Sequence, residues 1–382
     1  MPYISNALLV LEDGSAFPGR SLGARGEFVG EVVFHTAMTG HQEILCDPAY
    51  AGQMIVFTCP HIGNVGVNAE DNESPRPQAG AVLARQITTV PSNWRAERPL
   101  AGWLGDHGVP ALADIDTRRL TLTLREHGTL RGALSTENLD ADRLLAMARS
   151  APQPGSLPLV DAVTSREVRP WAQPLPPAWD PAVSLQAPHD PAAGTPPHIV
   201  VVDCGTKEAI LRHLVTLGAR VTVAPADLSA DEVLALAPDG VLISSGPGDP
   251  RTAAATVEAA RALLGRVPLF GIGLGMGVIG LAAGAGVIRL PAGHHGCNHP
   301  VQNTASGKIE ITAQNHSYAV DAASLDGLPL RATHLNLTDG TVEGLCHTTL
   351  PAWGVQYLPE GSPGPHDSLP LLGEFVAKVR LR

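Results

Sequence analysis

Val267-Pro-Leu-Phe-Gly-Ile-Gly-Leu-Gly-Met-Gly-Val-Ile-Gly280 opens a run that continues to Ile288, 22 residues without a charge. Such a length would cross a bilayer, and several of its glycines stand at GxxxG spacing. It also carries Pro268 and seven glycines, each costing about 0.8–1.0 kcal/mol relative to alanine in a helix. A buried strand over Val267–Ile272, a glycine turn and a small-residue helix fit the stretch better than a membrane span. The turn Gly271-Ile-Gly273-Leu-Gly275 has the form of a nucleophile elbow, which lifts one side chain above a sheet beside free backbone N–H groups. Its middle position should hold Ser or Cys, and here it is Gly273. Read instead as G-x-G-x-x-G, Gly275-Met-Gly277-Val-Ile-Gly280 would bind a dinucleotide. That motif needs an acidic residue about 20 positions later, and the next acidic side chain is Glu310. The strand is also not the first of its domain.

Working outward, the flanking sequence alternates. His198–Val202 is a β-branched run, Lys207–Leu217 has helical periodicity, and Arg220–Val223 reads as a strand. Asp231–Leu236 is helical, Gly240–Ser244 is a strand closed by Ser245-Gly-Pro-Gly-Asp249, and Ala253–Leu264 is helical. This order implies an α/β domain over residues 198–382 with a largely parallel central sheet. Ligands of such sheets lie beyond the carboxyl ends of the strands, so the loops at Gly246-Pro-Gly248 and Gly271–Gly275 are where chemistry is expected.

The first half, residues 1–150, reads as a β-rich domain with some helix. Ala7–Leu11, Gly30–Phe34 and Met54–Thr58 are short apolar runs ending at turn signals. Thr117–His127 places Leu at helical spacing among Arg and Glu, and Leu120–Leu124 is expected in the core. Residues 151–197 carry 12 prolines in 47 positions, which suits an extended connector pinned to a domain surface by Trp171 and Trp179. The chain of 382 residues is long enough for two or three domains, and 44% hydrophobic residues exclude wholesale disorder. Lys+Arg 26 against Asp+Glu 37 gives −11, with no basic stretch, which argues against nucleic acid. Only Lys207, Lys308 and Lys378 are lysines, a bias read as genomic composition. Five scattered cysteines without a CxxC pair suggest neither a disulfide framework nor zinc. With no basic and apolar leader at Met1-Pro-Tyr-Ile-Ser, a cytoplasmic location is expected.

The residues around these loops resemble the small subunit of carbamoyl phosphate synthetase, whose C-terminal half is a class I glutamine amidotransferase domain. In the N-terminal half the resemblance rests on Gly30-Glu-Val-Val-Phe34, Thr36-Ala-Met-Thr-Gly40, Asp47-Pro48, Pro60-His-Ile-Gly-Asn64 and Asp114-Ile-Asp-Thr-Arg118. In the C-terminal half it rests on Ser245-Gly-Pro-Gly-Asp-Pro250, Gly293-His-His295, Asn298-His-Pro300, Ala313-Gln-Asn-His316 and Ser362-Pro-Gly-Pro-His-Asp367. It implies a chain that takes ammonia from glutamine and passes it to a large synthetase subunit. That subunit holds the ATP and Mg and makes carbamoyl phosphate from bicarbonate; no cofactor or metal is implied in this chain. Backbone N–H groups at Leu274 and near Gly246 would form the oxyanion hole, with Gly248 beside them among the substrate-binding residues. Asn315, Ser317 and Tyr318 match the loop that holds the α-amino and carboxylate groups of glutamine.

The departures from the family are chemical. Its elbow reads Gly-Ile-Cys-Leu-Gly-His-Gln, against Gly271-Ile-Gly273-Leu-Gly275-Met276-Gly277 here. Its catalytic His stands two residues before the triad acid; here that stretch is Tyr357-Leu358-Pro359-Glu360, so the acid is kept and the base is Leu358. A substrate-contacting Ser is Ala49. Acyl transfer by this route needs a thiolate and a base, so glutaminase activity is expected to be lost or severely impaired. Glu360 is then expected to be a surface or ion-paired carboxylate. Two alternatives stand beside a glutaminase-dead subunit. One is an active amidotransferase with a relocated thiol, Cys297 of His294-His-Gly-Cys-Asn-His299 or, more weakly, Cys46. The other is a free-standing pseudoenzyme that binds glutamine or another small amino acid. Cys297 is otherwise structural or part of a metal cluster, and Cys204 is a small core residue.

Overall fold

The computed structural model describes residues 5–176 and 195–381. It divides into two compact units, Met1–Leu157 with Pro291–Gly296, and Pro158–Leu290 with Cys297–Arg382. Trp179 lies outside the described residues.

The strands of the first unit are β1 (Ala7–Leu11), β2 (Ala16–Gly23), β3 (Glu27–His35), β4 (Gln53–Phe57), β5 (His61–Ile62), β6 (Ala81–Leu83), β7 (Gln86–Ile87), β8 (Pro110–Ala113) and β9 (Leu130–Ser135). Seven of them close a barrel in the order β1-β2-β8-β6-β4-β3-β9, while β5 and β7 pair separately. Closure removes the exposed edges that a short open sheet would present. Alternation along β1 explains its unbroken apolar run: Leu9 and Leu11 join one cluster with Phe17, Val32, Met54 and Leu134. Val10 points the other way, against Leu144 and Ala148 of the helix Ala141–Ser150. The helix Thr117–His127 is capped by the Asp116 side chain, which accepts from the Arg119 N–H. Its Leu120 and Leu124 are buried one turn apart, whereas Leu122 is 50% exposed. The expectation of a core role for all of Leu120–Leu124 is therefore corrected: at 3.6 residues per turn, the middle leucine of an i, i+2, i+4 series faces away.

The second unit contains β10 (Arg169–Trp171), β11 (His198–Asp203), β12 (Arg220–Pro225), β13 (Gly240–Ile243), β14 (Leu269–Ile272), β15 (Val287–Asn303), β16 (Ile309–Val320), β17 (Leu330–Asn336), β18 (Val342–His347) and β19 (Ala352–Val355). They form one sheet in the order β10-β12-β11-β13-β14-β19-β18-β16-β15-β17. The run β12-β11-β13-β14-β19 is parallel throughout. The helix Leu274–Ala282 follows β14 directly, so the apolar stretch is a strand, a turn and a helix. Among the described residues no helix is long and apolar enough to cross a membrane.

The proline-rich connector needs correction too. It contains a short helix, Val160–Val163, and Arg169–Trp171 adds an antiparallel strand to the sheet beside β12. Pro170 is tolerated there because β10 is an edge strand, where a missing N–H costs no ladder bond. Trp171 packs against the apolar cluster of this unit.

Candidate functional site

Strand order reverses between β11, whose successor β12 lies on one side, and β13, on the other. Ligands of parallel sheets bind at such a switch point, beyond the carboxyl ends of the strands. Four loops meet that condition: Asp203–Lys207 after β11, Ser244–Asp249 after β13, Gly273 after β14 and Gln356–Glu360 after β19. Each is fixed by short-range bonding. Asp203 accepts from the Gly205 and Thr206 N–H groups at 3.0 and 2.7 Å. The Ser244 hydroxyl accepts from Cys204 N–H at 2.9 Å and donates to Ser245 O at 2.8 Å. Gly273 N–H donates to Val355 O at 2.8 Å, and Gly275 N–H to Ser244 O at 3.1 Å.

Gly273 has φ +57° and ψ −116°, a conformation costly for a residue with a side chain. The turn is thus bent as an elbow is, and a Cβ there would meet Ser245 Cβ at 3.4 Å and Gln356 O at 3.7 Å, ordinary contact distances. The N–H groups of Leu274, Gly246 and Gly248 find no acceptor among the described residues. The Ser245 hydroxyl is buried and likewise unpaired. What remains is donor groups grouped beyond the strand ends with nothing nucleophilic at the elbow apex.

The position two residues before the acid is not polar either. Leu358 is 6% exposed and belongs to an apolar cluster with Ile272, Ala313, Val355 and Tyr357; its N–H is held by Ala313 O at 2.9 Å. Glu360 is ion-paired, as one half of the expectation had it, and it is buried and not at the surface. Its Oε1 accepts from Lys207 Nζ at 2.7 Å, and the same ammonium reaches Ser362 O. Lys207, 0% exposed, is the functional-looking residue that sequence reading passed over. The available signal was a lysine directly after a strand-end loop in a chain with only three.

Gly277 lies in the helix Leu274–Ala282, where a side chain would press on Pro250 Cγ at 2.7 Å. Regaining a Gln there requires that contact to yield. Asn315, Ser317 and Tyr318 all fall on β16; Ser317 and Tyr318 are buried, and the Ser317 hydroxyl has no partner among the described residues. Ala49 sits in the first unit, in the short 3-10 turn Pro48–Tyr50, where Asp47 accepts from its N–H at 2.9 Å. As for the thiols, Cys46 is buried and held by Gln42 O at 2.9 Å, and burial pushes its pKa well up. Burial also raises Cys204 to about 12. Neither forms a thiolate near neutrality. Cys297 is half-buried and donates to Pro363 O at 3.2 Å.

A glycine-flanked strand–turn–helix in a parallel sheet, with unpaired N–H groups beside its apex, defines an α/β domain of the nucleophile-elbow class. The family model described as glutamine amidotransferase class-I matches residues 200–378, and that of the carbamoyl-phosphate synthase small chain, CPSase domain, matches residues 9–134. The carbamoyl phosphate synthase small chain of Thermosynechococcus vestitus is 47% identical over 98% of this chain and 96% of its own. That of Photorhabdus laumondii is 45% identical over 98% and 96%. A putative GMP synthase component from Thermoplasma acidophilum, of solved structure, is 20% identical, with a TM-score of 0.41 over 49% of this chain and 98% of that one. The chain belongs to the carbamoyl phosphate synthase small-chain family.

Proposed function

We propose that this chain is a small subunit that has lost glutamine hydrolysis and is the structural partner of its large synthetase subunit, the pair drawing on free ammonia. The observation that carries this reading is the elbow apex: Gly273 offers no sulfur, while Leu358, at the base position, is part of an apolar cluster. Glutaminase chemistry needs a thiolate to attack the amide carbon and an imidazole to take the thiol proton and return it to departing ammonia. Losing the nucleophile or base of such a catalytic unit costs on the order of 10⁶ in turnover. Of the two candidate relocated thiols, Cys46 is buried with a raised pKa, and Cys297 is half-buried and donates to Pro363 O at 3.2 Å. The intact N-terminal blocks support docking, and the cytoplasm is the compartment where such a pair would work.

The test is reconstitution with the large subunit. Carbamoyl phosphate should form with ammonium and not with glutamine, and the two chains should co-purify stoichiometrically. Glutamate release at rates of order one per second, or a trapped glutamyl adduct, would overturn the loss of glutaminase. Absence of co-purification would favour the free-standing amino-acid binder. The unpaired Ser317 hydroxyl and Leu274 N–H are the features that reading would use.

A further inference from the structure

We infer that the N-terminal unit carries an oxyanion site of its own, fitted to the phosphate group of a small phosphorylated molecule. A cleft of about 510 Å³ is lined by Thr58, Pro60, Arg85, Asp116, Thr117 and Arg118. That volume lies in the range of small-molecule sites and is several times what a bare phosphate fills. Every lining residue belongs to the same unit.

Four observations set the chemistry. First, the guanidinium groups of Arg85 and Arg118 form no ion pair or hydrogen bond among the described residues. Both are exposed, and what sets them apart from the chain's other unpaired arginines is that they line one cleft. Arginine is the side chain whose planar fork matches phosphate oxygens two at a time. Second, Thr117 lines the cleft, is 7% exposed, and its hydroxyl has no hydrogen-bond partner among the described residues. The hydroxyl is not sealed off from solvent, and the cleft that Thr117 lines is the space it opens on. Third, Thr117 and Arg118 are the first residues of the 11-residue helix Thr117–His127, and the Arg118 N–H finds no acceptor among the described residues. A helix N-terminus of this kind favours an anion. Fourth, the acidic residues nearby are already engaged. Asp116 caps the helix by accepting from the Arg119 N–H at 2.9 Å, and Asp114 is paired with Arg20 at 2.7 Å. Besides the Asp116 carboxylate, which keeps its charge while it caps the helix, the wall offers two unpaired cations, one hydroxyl and one N–H, a donor set that suits an oxyanion.

The experiment is titration of the full chain with inorganic phosphate, followed by calorimetry and by broadening of the phosphorus resonance. Saturable one-to-one binding is expected, weakening as salt is raised. Arg85→Gln and Arg118→Gln should each weaken it at least about tenfold, and Thr117→Val about threefold to tenfold. Arg266→Gln, in the other unit and exposed, should leave it unchanged. Arg118→Lys keeps the charge without the fork and should fall between wild type and Arg118→Gln. Thermal melts of the variants confirm that they are folded. Lack of saturable binding, or binding that ignores Arg85→Gln and Arg118→Gln, would overturn the site. So would phosphate-blind protein in which Arg118→Gln instead abolishes co-purification with the large subunit, because the cleft would then receive a protein carboxylate.

Discussion

Gly273 relieves a strain that a catalytic residue at the same place would have to bear. At φ +57° and ψ −116° a side chain costs on the order of 1–3 kcal/mol, which elbow enzymes sustain because the bend aims the nucleophile. Here the bend persists without the atom it would aim. Gly273→Cys should therefore lower stability by about 1–2 kcal/mol without a steric clash, the nearest contact being 3.4 Å. It should restore no glutamate release, since Leu358 remains in place of a base. Chemical denaturation and a glutamate assay check the two halves, and substantial turnover in the single variant would show that another base serves the site. Lys207 and Glu360 illustrate a different point at this scale. A buried ion pair contributes little net stability, yet removing one partner typically costs about 3–5 kcal/mol, so folding alone is reason enough to keep the acid. The sequence made the two missing groups legible by their place in a motif. It could not reveal Lys207, because only the fold brings positions 207 and 360 together.

Among the elements, the helix Leu274–Ala282 shows how glycines position chemistry by closeness. A Cβ on Gly275 would overlap the Ile243 carbonyl oxygen and lie 3.0 Å from Ser244 O, backbone atoms of β13 and its loop that cannot turn aside. Gly277 faces only the ring of Pro250. Gly275→Ala is therefore expected to cost about 2–3 kcal/mol. Gly277→Ala should stay within about 1 kcal/mol of wild type, because the better helix propensity of alanine offsets the tighter contact. Urea unfolding of both variants gives the comparison, and equal losses would mean that the close approach at Gly275 is not what holds the helix against the sheet. The same element explains what could be read beforehand. Strand, turn and helix follow from Pro268 and glycine spacing, which are local, and so did β1, β4 and the helix Thr117–His127. The barrel was not legible, because β3, β4, β6 and β8 pair in parallel across long separations that leave no local periodicity. Nor was β10, whose Pro170 reads as a connector until its edge position is known.

For the molecule as a whole, each unit has its own core and carries histidines whose pKa burial lowers, His41 in the first and His198, His213 and His334 in the second, and these contribute to its response to acid. Burial lowers His41, packed edge-on against Phe57 at 5.0 Å, to about 4. His213, on the helix Glu208–Thr216, is lowered to about 3 by burial first and then by the nearby charges of His366 and Lys207. The unfolded chain takes up these protons near pH 6.5 and the folded chain only near pH 3–4, so between those values the unfolded state binds more protons. The stability linked to each neutral histidine is complete above about pH 6.5 and drains away as pH falls towards the folded pKa. At about 1.4 kcal/mol per pH unit, His41 and His213 should each remove on the order of 2 kcal/mol from their unit between pH 6.5 and pH 5. His213→Leu should reduce this loss in the second unit, where His198 and His334 keep a share of it, while leaving the first unit unchanged, and His41→Leu should reduce it in the first unit alone. Hydrogen exchange of amides in β4 and in β11, measured at pH 7 and pH 5, separates the two responses, since a two-unit chain has no single unfolding free energy. If His213→Leu left the acid loss at β11 unchanged, carboxylate protonation rather than histidine burial would have to account for it.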